Sequence, residues 1–542
     1  MQLRYTHYVL PLFLATRAFA ADPIPTNVPS ANHKIPGMAA PNVLSPELIE
    51  TPVAQGSNAL ENPSALVTFY GYDNNGPMVP VTAGSRVEAT KTEPDKNTYL
   101  VLKGQKGADP HYNYGTHFLF QGHELGLTSA TADVHGYITR INLDADAKHL
   151  VTLMADQDVN GQPLPNIDGS TWYPFSQRLL LTSEGSLGGG VWQATLDVPS
   201  KVESLTGIIG QGGYEGIQAD PKGNLIIVED VGGTTVNHGK APNSYVYRFL
   251  PTNSSDLKKG GKLQALQVTS HASNGHPIVF DGNVLSPDVL DLHTYGLVFK
   301  TTWVTIHDTA VDGVAPFNAI AAARLKSATP FKRPENGQFR PGSNFNEFYF
   351  DETGDTDNQT PAGIAYGGFG SIFKLVLNGD HGELSLLYLG DQDHSGFDNC
   401  AFWDADHIVF VEDAGDGLHT QRNGLDNAWL FDLKTSYAHG AQPIRILAEG
   451  RDTSATLDSL FGTTPLGFTG AFNNEGDNEI SGWHLSDGDP TVNGLLGAKI
   501  PKPFHNGWRL FYTQQHGDNF TWEILRKETD DDDQDGHGRH GD

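Results

Sequence analysis

Glu215-Gly-Ile-Gln-Ala-Asp-Pro-Lys-Gly-Asn-Leu225-Ile-Ile-Val-Glu229-Asp230-Val-Gly232 decides the fold, because its plan returns twice further along the chain. The plan is an acid, a turn, and an apolar strand that runs into a second acid and a glycine. It recurs as Glu335-Asn-Gly to Phe348-Tyr-Phe-Asp351-Glu352-Thr-Gly354, and as Asp398-Asn-Cys to Ile408-Val-Phe-Val-Glu412-Asp413-Ala-Gly415. The acids are 14 residues apart in the first and last copies (229 − 215 and 412 − 398) and 16 in the middle one (351 − 335). Recurrence at near-fixed offsets implies stacked or radial β units that each deliver a carboxylate to the same height. Such an arrangement builds a cation-binding centre.

Weaker forms of the unit extend the pattern on both sides. Phe118-Leu-Phe to Glu124-Leu-Gly126 is followed by Tyr137-Ile-Thr-Arg-Ile, and Leu179-Leu-Leu-Thr-Ser-Glu184-Gly185 by Val191-Trp-Gln-Ala-Thr-Leu. Leu510-Phe-Tyr with Trp522-Glu-Ile-Leu closes the series. Six units, 61 Gly and 32 Pro in 542 residues, and no long helical period describe an all-β chain, read here as a β-propeller of about six blades. A β-sandwich or β-helix is the alternative, since the repeat alone does not dictate closure. Between the third and fourth units lies a long insertion, about 251 to 332. Its Ala-rich run Asn318 to Ala328 predicts a short helix stopped by Pro330.

Four segments follow. Residues 1–20 read as a secretory signal, with Arg4 before the apolar run Tyr8 to Ala15 and Ala18-Phe19-Ala20 as the cleavage site. Residues 21–62 form a Pro- and Ala-rich lead-in without apolar period, wrapped on the surface or in part disordered. The propeller spans 63–527, and 528–542 is an acidic tail, disordered by composition. Within the tail, Asp531, Asp533 and Asp535 before Gly536 mimic a calcium loop, but no exit helix can follow.

The 64 acidic residues outnumber the 35 basic ones, for a net charge of −29. That balance repels nucleic acid and anionic membrane surfaces and attracts cations. No other stretch reaches the roughly 20 apolar residues of a membrane span. The mature chain is therefore expected to be secreted or periplasmic, as a monomer. A single Cys400 rules out an internal disulfide framework, which makes calcium a plausible staple outside the cell. Cys400 itself reads as a small buried apolar residue opening a strand.

Carboxylates that share one cavity repel one another unless a cation neutralises them. Glu124, Glu184, Glu215, Glu229, Glu335, Asp398 and Glu412 are the candidate ligands, and their hard oxygens suit calcium, magnesium, manganese or ferric iron. Arg333-Pro334-Glu335 sets a guanidinium beside one of these acids, a pairing able to hold metal and anion together. The 22 histidines show no His-Glu-x-x-His spacing, so a zinc protease is not indicated. His123 and His419 read as hydrogen-bonded structural histidines. Ser183 lacks a nucleophile elbow around it.

Taken together, Gly122-His123-Glu124, Arg178-Leu-Leu-Leu-Thr182-Ser183-Glu184, Glu215-Gly-Ile with Asp220-Pro221, Arg333-Pro-Glu335 and Asp398-Asn399 resemble the PhoX-type alkaline phosphatases. The resemblance spans about 120 to 415, and the glutamate-led strand is also similar to esterase-like phytases. It implies a secreted metal-dependent propeller acting on a small phosphoester, with Arg333 and Glu335 as catalytic residues. By the same resemblance Glu215 and Glu335 would hold an iron pair, Glu184 would help hold calcium, and Arg333 would contact phosphate. The family's Thr-Cys-Glu-Glu is replaced here by Thr182-Ser183-Glu184-Gly185. Serine offers a hard hydroxyl in place of a thiolate, so Ser183 joins the candidate ligands but favours calcium, magnesium or manganese over iron. Two rival functions remain: a calcium-binding propeller without catalysis, and an esterase or lactonase acting through calcium-activated water.

Overall fold

The strand Leu225–Glu229 is buried on both faces, and its alternation explains why four apolar residues stand in a row. Leu225 and Ile227 pack with Leu180 and Val191 on one side, while Ile226 and Val228 pack with Phe348 and Phe350 on the other. One strand thus feeds two cores, each lying between neighbouring sheets. Deleting the side chain of Ile227 beyond Cβ would cost about 2–5 kcal/mol.

In a computed structural model of the protein, residues 24–528 are described apart from 36–37, 66, 72–91, 126–135, 185–188, 237–238, 274, 356–359, 454–478 and 516. The expected signal peptide, Gly126, Gly185 and the acidic tail with its calcium-loop mimic lie outside these residues.

Six antiparallel units make the body. The first blade comprises Thr92–Val101, His117–Leu125, Tyr137–Asn142 and Val151–Ala155. The second comprises Ser170–Tyr173, Arg178–Ser183, Gly190–Ala194 and Val202–Ser204. In the third, Tyr214–Ala219, Leu225–Glu229, Val246–Pro251 and Gly261–Val268 follow in order, and in the fourth Gly337–Phe339, Glu347–Glu352, Ser371–Asn378 and His381–Leu389. The fifth holds Phe397–Phe402, His407–Glu412, Asn427–Asp432 and Ile444–Ala448, and the sixth Ile480–Ser486, Arg509–Gln514 and Phe520–Arg526. The innermost strands touch in sequence, first to second through to sixth, and the sixth touches the first. That closed ring is the β-propeller.

Two features depart from the sequence reading. Leu48–Ala54, inside the expected lead-in, pairs with Phe520–Arg526 and completes the sixth blade, while Val43–Leu44 extends the edge of the fifth. Such pairing covers a strand edge that would otherwise stand open. Leu48 and Ala54 are buried in the process, so the segment is part of the propeller despite its weak apolar pattern. The insertion likewise contributes more than a connection. Its strand Val298–Asp308 pairs with the outer strands of both the third and fourth blades and fuses them into one nine-stranded sheet. The other four blades remain separate sheets of four or five strands. The predicted helix forms over Ala319–Leu325, capped by the Asn318 side chain, which accepts from the Ala321 N–H at 2.7 Å. Among the described residues, no helix is long and apolar enough to cross a membrane.

Candidate metal centre

Each blade carries an acid within the first four residues of its innermost strand or just before it: Asp95, Asp168, Glu215, Glu335, Asp398 and Glu479. In three blades the backbone irregularity is part of the device. Register shifts bracket Asp95 between Pro94 and Asn97, Glu215 between Tyr214 and Ile217, and Asp398 between Phe397 and Cys400. An extra residue in a strand breaks the in-out alternation and re-aims a side chain. Close approach is secured by small residues next to the acids. A Cβ on Gly169 would lie 2.1 Å from the Glu215 carbonyl, and one on Gly216 would lie 2.8 Å from the Glu335 carbonyl. Gly216 donates its N–H to that carbonyl at 2.7 Å, so neighbouring blades touch at the acids themselves.

Seven carboxylates form three linked groups: Asp95, Glu124 and Asp168; Asp168, Glu184 and Glu215; Glu215, Glu335 and Asp398. Within each group the nearest oxygens lie within 4.8 Å of one another, and Asp168 and Glu215 are shared. Burial raises the pKa of all seven, and repulsion from neighbouring carboxylates raises them further; Asp398, with Asp413 beside it, is moved to about 6. Among the described residues, no donor reaches one buried oxygen each of Glu124, Asp168 and Asp398. Clustered, desolvated carboxylates with unmet acceptors fit hard divalent cations, which would supply the missing positive charge.

Arg333 stands at the edge of the third group. Its Nε and one terminal nitrogen each donate to Asp230 at 2.8 Å, and the same nitrogen lies 2.9 Å from Glu335 Oε1. The two carboxylates fix the guanidinium plane and raise its pKa against the opposing effect of burial. Arg333 also holds φ at 59°, a left-handed conformation that costs a non-glycine residue about 1–2 kcal/mol. The fork to Asp230 helps maintain it.

Of the residues predicted from sequence, Glu124, Glu184, Glu215, Glu335 and Asp398 fall within the three groups. Glu229 and Glu412 do not. Glu229 accepts from the Tyr245 N–H at 3.1 Å and the Tyr247 hydroxyl at 2.9 Å, inside its own blade. Glu412 is occupied by Arg422, Ser395 N–H and Asn427. In both repeats the following acid, Asp230 or Asp413, interacts with the centre instead: alternation turns successive side chains to opposite faces. Ser183 is fully buried, its hydroxyl 3.4 Å from the Glu184 carbonyl. Cys400 lies among Tyr349, Phe402 and Trp429 with its thiol pKa pushed up by burial, in keeping with an apolar role. His123 bonds Thr139 and His419 bonds Asp426, both as buried structural histidines.

Sequence reading missed Asp95, Asp168, Asp230, Asn336, Lys96 and Glu479. Asp168 carries a usable signal, since Asp168-Gly169 precedes Glu184 by the same 16 residues (184 − 168) that separate Glu335 from Asp351. Asn336 has none. Its amide donates to Glu215 Oε1 at 3.1 Å and Asp398 Oδ1 at 3.2 Å, a bridge between two other blades.

The class defined by fold and site is a propeller whose ring of inner strands carries buried carboxylates. No family model matches the chain, and no curated protein matches it in sequence. Among solved structures, it is similar to Pseudomonas fluorescens PhoX in complex with vanadate, a transition state analogue. The identity is 11%, the TM-score 0.53, and the match covers 92% of this chain and 98% of that one. This is a likeness of fold across the whole propeller. A mutant levansucrase from B. megaterium matches at 10% identity over 75% of this chain and 91% of its own, and its TM-score of 0.29 bears no weight.

Proposed function

We propose that the protein is a secreted or periplasmic metal-dependent hydrolase of phosphate monoesters. The observation that carries this reading is the run of three linked carboxylate groups ending beside a clamped arginine. The fold it shares with a vanadate-binding phosphatase supports the same assignment.

Glu124, Asp168, Glu184, Glu215, Glu335 and Asp398, with Asp95, would hold the cations, calcium first, with magnesium or manganese and less readily iron. Ions bound there supply charge for the phosphoryl oxygens and a water of lowered pKa. The chain's own contribution is positional. Arg333, held in one plane by Asp230 and Glu335, sets a phosphate's negative oxygens over the third group, where its charge stabilises the extra charge of an in-line displacement. Burial of the acids keeps bulk water from screening that field.

Ser183 favours a second reading, a calcium-binding propeller without catalysis, because no thiolate stands at that position. Turnover of a chromogenic phosphomonoester by the metal-loaded native chain and by Glu335→Gln separates the two. Activity in the native chain that is lost in the variant supports the hydrolase. No turnover in either, with metal still bound, leaves the binding protein, and ester cleavage without phosphatase activity points to an esterase.

A further inference from the structure

Next to the clamped arginine lies a cavity of about 510 Å³, a size that takes small ligands, walled by Gly232, Gly233, Tyr245, Phe280 and Pro330 and by the Arg324 side chain. Two of its walls lead straight to the residues of the clamp. Gly232 follows Asp230 by two positions, and Pro330 precedes Arg333 by three. Even fully extended, such segments span no more than about 11 Å.

Arg324 stands in the last turn of the helix Ala319–Leu325. Its guanidinium donates to Asn243 Oδ1 and to the Tyr245 hydroxyl. Asn243 is itself locked, its amide donating to the Val231 carbonyl at 3.1 Å and its backbone N–H to the Phe331 carbonyl at 3.0 Å. Neutral acceptors therefore fix the direction of the guanidinium and leave its charge in place. Among the described residues, no acid lines the cavity and no carboxylate pairs with Arg324. The acids behind its walls are already engaged: Glu229 by the Tyr245 N–H and the Tyr247 hydroxyl, and Glu352, on a smaller adjoining cavity, by His293 Nε2 at 2.8 Å and the Lys332 N–H at 2.7 Å. A held guanidinium without a carboxylate is open to an anion from outside the chain.

We propose that this cavity receives the alcohol portion of the phosphomonoester, and that Arg324 selects alcohols bearing a carboxylate at the end remote from the phosphate. The apolar walls take the carbon skeleton and the planar fork pairs with the carboxylate. One guanidinium matches the single charge of a carboxylate, whereas a second phosphate would bring nearly two. The net charge of −29 works against any additional negative charge on a substrate, so a preference for one has to arise locally. This rests on the phosphatase reading and narrows its substrate class.

The test measures kcat/KM of the metal-loaded full-length chain on ω-carboxyalkyl phosphates of increasing length, each against the alkyl phosphate of equal length, for native and Arg324→Gln. The leaving alcohols in each pair are matched, so the ratio reads the far end of the substrate. Over some range of lengths the native chain is expected to favour the carboxylated member by roughly tenfold or more, and Arg324→Gln to lose most of that preference. Arg324→Ala takes its place should Arg324→Gln fail to fold. A native chain that turns over both members equally at every length overturns the proposal without any variant, and so does a preference that survives the loss of the guanidinium; either leaves the phosphatase reading standing. A metal-loaded native chain that cleaves no phosphomonoester overturns that reading and this inference with it.

Discussion

Replacing Glu229 with glutamine tests whether this acid is part of the blade or of the metal centre. Its carboxylate is fully buried, with one oxygen held by the Tyr245 N–H and the Tyr247 hydroxyl and the other accepting no hydrogen bond from the described residues. Burial raises its pKa from 4.5 to about 8 against the opposing effect of the donors around it. The folded chain thus keeps a proton that the unfolded chain releases. Stability is unaffected below about pH 4.5, falls as pH rises through the window up to 8, and the loss is complete just above it. A shift of about 3.5 units at about 1.4 kcal/mol each amounts to roughly 4–5 kcal/mol. Glutamine stays neutral and keeps the acceptor for Tyr245 and Tyr247. Urea denaturation of native and Glu229→Gln chains from pH 5 to 9.5 should give a stability difference that grows in favour of the variant by several kcal/mol toward high pH. Calcium content should be the same in both. A difference that does not vary with pH would refute the titration argument, and a loss of bound calcium in the variant would make Glu229 a ligand after all.

Further expectations concern the centre itself. Chelation should lower the melting temperature, because an ion bound only by the folded state stabilises it by about 4 kcal/mol at a thousandfold excess over its Kd; calorimetry with and without chelator reads this, and identical melting curves count against a metal centre. Arg333→Lys keeps the charge but loses the planar fork to Asp230, so kcat/KM on a phosphomonoester should fall by roughly a hundredfold or more while metal content holds. Ser183→Cys should move metal preference toward iron, checked by competition between iron and manganese during loading; unchanged preference in a folded variant would mean that the side chain at 183 does not reach the ions.

The strained backbone at Arg333 connects fold to function. A φ of 59° at a non-glycine residue persists only where its surroundings over-determine it, and here the guanidinium is gripped by Asp230 from the third blade and by Glu335 two residues away. Asp230 is therefore as necessary to the arginine's aim as the arginine is to the proposed phosphate site.

The repeated acids and the continuous apolar strands between them were legible in the chain because both are local: a strand buried on two faces must be apolar throughout, and a turn acid recurs wherever the unit recurs. From these the propeller and five of the clustered carboxylates follow, while the helix over Ala319–Leu325 is read from its Ala-rich run before Pro330. The rest depended on closure. Whether Glu229 or Asp230 serves the centre is decided by which face each side chain takes, and the bulges at Asp95, Glu215 and Asp398 break the simple alternation from which a face would be read. Leu48–Ala54 has too weak a pattern to announce a strand, and becomes one because the open edge at Phe520–Arg526 offers it unpaired backbone groups more than 460 residues away. Lys96 and Asn336 are 240 positions apart, and only a ring that sets the first blade opposite the fourth brings them into contact. The sequence by itself determined the unit and its acids, whereas the closed ring decided which of those acids meet.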